Sequence, residues 1–165
     1  MARRSERSFR RSSTPCGPSA RVVVEPSAKD GGPRTNVRIL MVEDEPAVRT
    51  AAVRILRAAG YTVIEVGSAA AAIELANSEA GIDLLLTDMV MPGMSGRELS
   101  RNLRAVRPDL GVVYMSGYSE ELVMRDSELD GPLVQKPFTR ESLLVIVRDA
   151  VQSLVRTRGS PVPIA

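Results

Sequence analysis

The stretch DLLLTDMVMPGMSG, residues 83–96, places an unbroken apolar run, Leu84 to Leu86, just before a carboxylate at Asp88. It then turns through Pro92, Gly93 and Gly96. A strand with one wet face alternates apolar and polar residues. A run without alternation belongs to a strand covered on both faces, as in a parallel sheet. Such a strand delivers Asp88 at its tip. A lone buried carboxylate is costly, so Asp88 needs a partner or a task.

The same pattern recurs on both sides of this stretch. VRILMV (37–42) is a first strand, followed by Glu43, Asp44, Glu45 and Pro46, the proline suiting the first turn of a helix. Val48, Ala52, Ile55, Leu56 and Ala59 make one helical face that Gly60 stops. YTVIEV (61–66) is a second strand, and Ser68 caps a helix reaching to Asn77. IDLLLT (82–87) is the third strand. Gly96 opens a helix with Leu99, Leu103 and Val106 at helical spacing, ended by Arg107-Pro108. LGVVYM (110–115) is the fourth strand, and Glu120 to Arg125 a short helix. PLVQ (132–135) is the fifth strand. Thr139 begins a last helix whose apolar positions include Leu143, Leu144, Val147, Val151 and Leu154. Strands alternating with helices in this way predict an α/β domain with a parallel sheet and right-handed crossovers. In open sheets of this kind the ligand site lies beyond the carboxyl ends of the strands.

Those ends can be read off. The first strand ends in Glu43 and Asp44, the third in Asp88, the fourth in Ser116 and the fifth in Lys136, followed by Pro137. Three carboxylates, a hydroxyl and an ammonium therefore share one rim. Crowded acids repel unless cations join them. Lys136 is one cation, and Mg²⁺, a hard ion that takes carboxylates, waters and phosphate oxygens, is the natural second. The set suits phosphoryl chemistry. Asp88 is the carboxylate nucleophile, the cations neutralise the transferring group, and Ser116 donates to one of its oxygens.

Composition narrows the field. The chain has 165 residues, 44% of them apolar, enough for one domain and a tail. Residues 1–36 carry eight Lys/Arg and three Asp/Glu, net +5, whereas residues 37–165 carry fourteen and seventeen, net −3. The basic character thus sits in an Arg-, Ser- and Pro-rich extension that reads as disordered. The remainder has no basic excess for nucleic acid, and no DNA-binding domain is expected. There is no histidine, so the commonest general base, metal ligand and phosphohistidine donor are missing. The only lysines are Lys29 and Lys136, which singles out Lys136. One cysteine, Cys16, excludes an internal disulfide. The apolar runs are too short to span a bilayer, and the Arg-rich start lacks the apolar core of a secretory signal. The expected organisation is a basic extension at 1–36, a domain at 37–156 and a flexible tail at 157–165, in a soluble cytoplasmic protein. The extension suits three readings: one without a specific role or from a misplaced start codon, a segment binding an acidic partner or nucleic acid, or the linker of a longer kinase.

ILMVEDEPAVR, LLLTDMVMPGMSGREL, VVYMSGYS and VQKPFTRESL, taken in order, resemble the successive motifs of the receiver domain of two-component response regulators. The wording MSGY and QKPF is most similar to receivers at the C-terminus of hybrid sensor histidine kinases. The resemblance implies a flavodoxin-like, doubly wound (βα)5 fold with strand order 2-1-3-4-5. It implies that Asp88 is the phosphoacceptor and that Glu43, Asp44, Asp88 and the Val90 backbone carbonyl hold Mg²⁺, Glu43 through water. Lys136 would bridge to the acid and then to the phosphoryl group, and Ser116 would be the switch hydroxyl. The Lys136–Pro137 peptide would be cis, and Val90 and Tyr118 would tune phosphoryl lifetime and access. The implied partner is a sensor histidine kinase or a histidine phosphotransfer protein, with the receiver a monomer or a phosphorylation-dependent dimer. One position departs from the family: Leu133 stands where receivers often carry the aromatic half of the switch.

Three functions follow from these residues. The first is a phosphorylation-controlled switch. Only TRGSPVPIA follows Arg156, so its output would run through protein contacts or onward relay. The second is a Mg²⁺-dependent phosphohydrolase using Asp88, which would want an acid where Val90 stands. The third is a receiver-like binding module independent of phosphorylation, against which the full acid, hydroxyl and lysine set argues.

Overall fold

The computed structural model describes residues 37–78, 81–117 and 129–159. The expected extension at 1–36, the helix at 120–125 and Tyr118 lie outside them. The strands β1 (Arg38–Val42), β2 (Thr62–Val66), β3 (Leu84–Asp88), β4 (Gly111–Ser116) and β5 (Leu133–Gln135) pair in parallel, in the order β2-β1-β3-β4-β5. This is the order expected of a flavodoxin-like sheet. The helices α1 (Pro46–Ala58), α2 (Ala69–Ser78), α3 (Gly96–Val106) and α4 (Arg140–Gly159) cover both faces.

Two-sided burial is clearest in β3, where all five residues are buried. Leu84 and Leu86 pack with α1 and α4, and Leu85 packs with α2 and α3 on the other face. A fully buried leucine contributes about 1.5–3 kcal/mol, so this strand alone anchors both layers. On α1 the inward face is Ala52, Val53 and Leu56. Val53 is absent from the stripe read from periodicity, because spacing alone does not tell which edge of a stripe turns inward.

Helix α3 corrects another expectation. Leu99 and Leu103 are buried, but Val106 is 66% exposed. The buried face runs through Gly96, Leu99, Ser100 and Leu103. Ser100 is drawn inward by a 2.6 Å hydrogen bond with the Tyr114 hydroxyl. Helix α3 starts with a capping box: Ser95 Oγ accepts from the Glu98 amide, and the Glu98 carboxylate accepts from the Ser95 amide. Thr139 caps α4, its Oγ1 accepting from the Ser142 amide at 3.1 Å. That helix continues to Gly159, past the boundary read at Arg156.

Tyr114, wholly buried in β4, donates to Asp130 Oδ1 at 2.6 Å. Asp130 also pairs with Arg104 on α3. This cluster ties the segment before β5 to α3. Burial first, and then the Asp130 carboxylate, push the Tyr114 phenol up to about 12 from an ordinary value of 10.0. A phenol held protonated in the fold stabilises it fully below pH 10, and that contribution is lost as pH rises through about 12. Tyr114→Phe is expected to cost about 1–3 kcal/mol in urea unfolding at pH 7, because Asp130 and Ser100 lose a buried partner. The gap from wild type should narrow between pH 10 and pH 12. A gap that widens there would show that the hydroxyl is not held neutral.

Candidate functional site

The parallel order places the ends of β1, β3, β4 and β5 on one rim. Glu43 follows β1 and is fully buried, Asp44 beside it is exposed, and Asp88 closes β3 at 5% exposure. Lys136 follows β5. Its Nζ lies 2.8 Å from Glu43 Oε2 and 2.9 Å from Asp88 Oδ2, so one ammonium bridges acids from two strands. The Lys136 amide donates to Ser116 O at 2.7 Å, which sets the lysine beside the end of β4. The Lys136–Pro137 peptide is cis.

The local backbone explains how Asp88 is held. Thr87 Oγ1, buried, donates to Asp88 O at 3.0 Å. The Gly96 amide donates to Met89 O at 3.0 Å. A Cβ at Gly96 would stand 2.1 Å from Asp88 O, so only glycine lets α3 start this close to the strand tip. Glu43 is fixed from two sides, since its Oε1 also accepts from the Glu45 amide at 3.2 Å.

The charges are unbalanced. One oxygen from each of Glu43, Asp44 and Asp88 lies within 4.8 Å of the others, the group a metal ion would need, and Lys136 is the cation bridging two of them. Burial, and then the Asp88 charge, raise the Glu43 carboxyl above its ordinary value, with Lys136 pulling the other way. Burial alone would lower Lys136, but its hydrogen bonds to Glu43 and Asp88 and their charges override it and hold the ammonium above its ordinary value. An all-oxygen set with surplus negative charge is the donor chemistry a hard divalent cation takes.

The other expected residues fall around this cluster. Ser116 is buried, and its hydroxyl donates to Gly117 O at 3.1 Å. Val90, two residues past Asp88, is 60% exposed. Leu133 pairs in register with Tyr114 and packs against the core. Three contributors escape the sequence reading: Gly96 as a close-approach residue, Thr87 behind Asp88, and Arg49, whose Nη1 donates to Glu43 O at 2.6 Å. Arg49 had a readable signal, since a cation in the first turn of a helix opposes the helix dipole and so needs another reason to be there.

The family model of the response regulator receiver domain matches residues 39–148. This chain belongs to that family. Sensor kinase CckA of Brucella abortus is 38% identical over 117 residues, 69% of this chain and 12% of the kinase. The receiver thus spans only a small part of that relative. Response regulator receiver protein CpdR of the same species is 37% identical over 109 residues, 65% of this chain and 90% of CpdR. A solved receiver domain from hybrid histidine kinase CckA aligns at a TM-score of 0.60 and 34% identity, covering 70% of this chain and 99% of that one. Receivers are signalling switches of two-component systems. Among the described residues, no helix is long and apolar enough to cross a membrane.

Lys136→Met tests the bridge. It leaves two buried carboxylates uncompensated, which should cost about 3–5 kcal/mol in urea unfolding at pH 7. The deficit should shrink on acidification as Glu43 protonates, its carboxyl already raised above the ordinary value by burial. A variant as stable as wild type at pH 7 would show that the ammonium does not hold the acids together.

Proposed function

We propose that this receiver is a phosphoacceptor switch that takes a phosphoryl group from a partner's phosphohistidine onto Asp88. The observation that carries the reading is the bridge of Lys136 Nζ to Glu43 and Asp88, at 2.8 and 2.9 Å, on the rim where the sheet opens. An Asp88 carboxylate oxygen attacks phosphorus. The P–N bond to the donor imidazole breaks, its electron pair leaves with the imidazole nitrogen, and an acyl phosphate forms. Lys136 keeps Asp88 ionised and poised, then turns from the carboxylates toward the new phosphoryl oxygens. The Ser116 hydroxyl, which donates to Gly117 O, rotates to donate to one of those oxygens. Asp44, Asp88 and the Val90 carbonyl would hold Mg²⁺, with Glu43 acting through water. When bound, that ion supplies the positive charge that neutralises the transferring group.

Movement at Ser116 shifts a two-state equilibrium of the face around β4 and β5, and that shift is the signal. With Leu133 at the usual aromatic position, the Ser116 hydroxyl carries the change. Partners are a sensor histidine kinase or a histidine phosphotransfer protein, in the cytoplasm. The exposed alkyl of Val90, two residues past Asp88, offers no general acid, so the role is switching rather than phosphate-ester turnover.

Intact mass after incubation with Mg²⁺ and acetyl phosphate checks this. One phosphoryl adduct is expected on wild type and none on Asp88→Asn, with chelation by EDTA abolishing the adduct. An equal adduct on Asp88→Asn would move the acceptor elsewhere. No adduct on a wild type that binds Mg²⁺ would favour a phosphorylation-independent binding module.

A further inference from the structure

Glu43 and Asp88 are each oriented by Lys136, but Asp44 is exposed and lies outside that bridge. Its direction must come from its backbone. The register of β1 ends with Val42 opposite Val66 and Thr87; the Glu43 amide still donates to Val66 O at 3.3 Å, and residues 44 and 45 lie past the ladder. Two side chains close over this turn: Glu43, whose Oε1 accepts from the Glu45 amide at 3.2 Å, and Arg49 on the carbonyl side. Arg49 Nη1 donates to Glu43 O at 2.6 Å and reaches Asp44 O at 3.5 Å. These carbonyls belong to the two peptide planes that flank Asp44, so the short bond to Glu43 O and the longer reach to Asp44 O constrain the direction in which its side chain leaves the backbone.

Arg49 is itself held. Its Nε lies 3.9 Å from Glu65 Oε2, and Glu65 Oε1 is tied 3.2 Å from Arg57 Nη2. The guanidinium fits against Gly67, where an added Cβ would stand 3.1 Å from Nη1. A planar fork can reach two carbonyls and a carboxylate at once, and a lysine ammonium cannot. A cation in the first turn of α1 is unfavourable against the helix dipole, so its placement calls for a compensating role.

We infer that Arg49 is a positioning residue for the phosphoryl site: its guanidinium clamps the β1–α1 turn so that Asp44 faces Asp88. The inference rests on the reading of Glu43, Asp44 and Asp88 as a Mg²⁺ site. Arg49 acts through the backbone carbonyls of Glu43 and Asp44 rather than as a ligand. Its removal therefore weakens Mg²⁺ binding and leaves the chemical step intact once Mg²⁺ saturates.

The test is isothermal titration of the full chain with MgCl₂. It compares wild type, Arg49→Gln, Arg49→Lys and Gly67→Ala, with Asp44→Asn as the binding-deficient reference. Both Arg49 variants should bind Mg²⁺ about tenfold more weakly, the scale of losing a residue that orients a ligand. Lysine should fail to restore binding, which separates the fork geometry from mere charge. Gly67→Ala, which crowds the guanidinium and leaves α1 and the acids unchanged, should weaken binding less, in the same direction. It carries the test alone if the Arg49 variants do not fold. Acetyl phosphate labelling at saturating Mg²⁺ should run at the wild-type rate in all three. Wild-type affinity in Arg49→Gln, or full rescue by Arg49→Lys, overturns the inference, as does unchanged affinity in Gly67→Ala should that variant stand alone. A wild type that binds no Mg²⁺ overturns the metal site and this inference with it.

Discussion

The ammonium of Lys136 between Glu43 and Asp88 is the interaction on which the rest depends. Two carboxylates buried this deeply would repel each other and resist ionisation without it. The bridge requires that β1, β3 and β5 all end on the same side, which only a parallel arrangement achieves. It also requires Asp88 to reach the rim without losing its backbone anchors. The buried Thr87 hydroxyl and the bare Cα of Gly96 meet that need, one bonding to the Asp88 carbonyl and the other leaving room for it. Fold and site are thus one design: the apolar runs that force a doubly covered sheet also carry three acids and a lysine to one edge.

Much of this was legible in the residues. The unalternating runs VRILMV and DLLLT declared buried parallel strands, and parallel strands put Glu43, Asp44, Asp88, Ser116 and Lys136 on a common rim. Lys136 stood out because the domain holds no other lysine. What stayed hidden involves contacts between residues far apart in the chain, or the choice between neighbouring helical faces. No local pattern tells that Tyr114 will meet Asp130, or that Ser100 will turn inward and leave Val106 in solvent. The glycine at 96 reads as the start of a helix. Its stricter requirement comes from a carbonyl eight positions earlier.

Leu133 gives this receiver its individual character. It sits in register with Tyr114, whose ring is fixed in the core and whose hydroxyl is committed to Ser100 and Asp130. Tyr114 is therefore a structural tie between β4, α3 and the segment before β5, and its buried, neutral phenol is not free to swing. That leaves Ser116 as the polar group on β4 next to the bridge, its hydroxyl resting on the adjacent carbonyl. A switch of this kind would act through the backbone after Ser116 more than through an aromatic side chain.

The most direct test of the account is a crystal structure of the chain grown with Mg²⁺ and beryllofluoride, a mimic of the phosphoryl group. The mimic is expected on an Asp88 oxygen, with Mg²⁺ held by Asp44 and Asp88, and with Lys136 Nζ moved from its two carboxylates onto the mimic and the Ser116 hydroxyl beside it. A mimic bound elsewhere, or a Lys136 still locked to Glu43 and Asp88 beside a filled site, would contradict it.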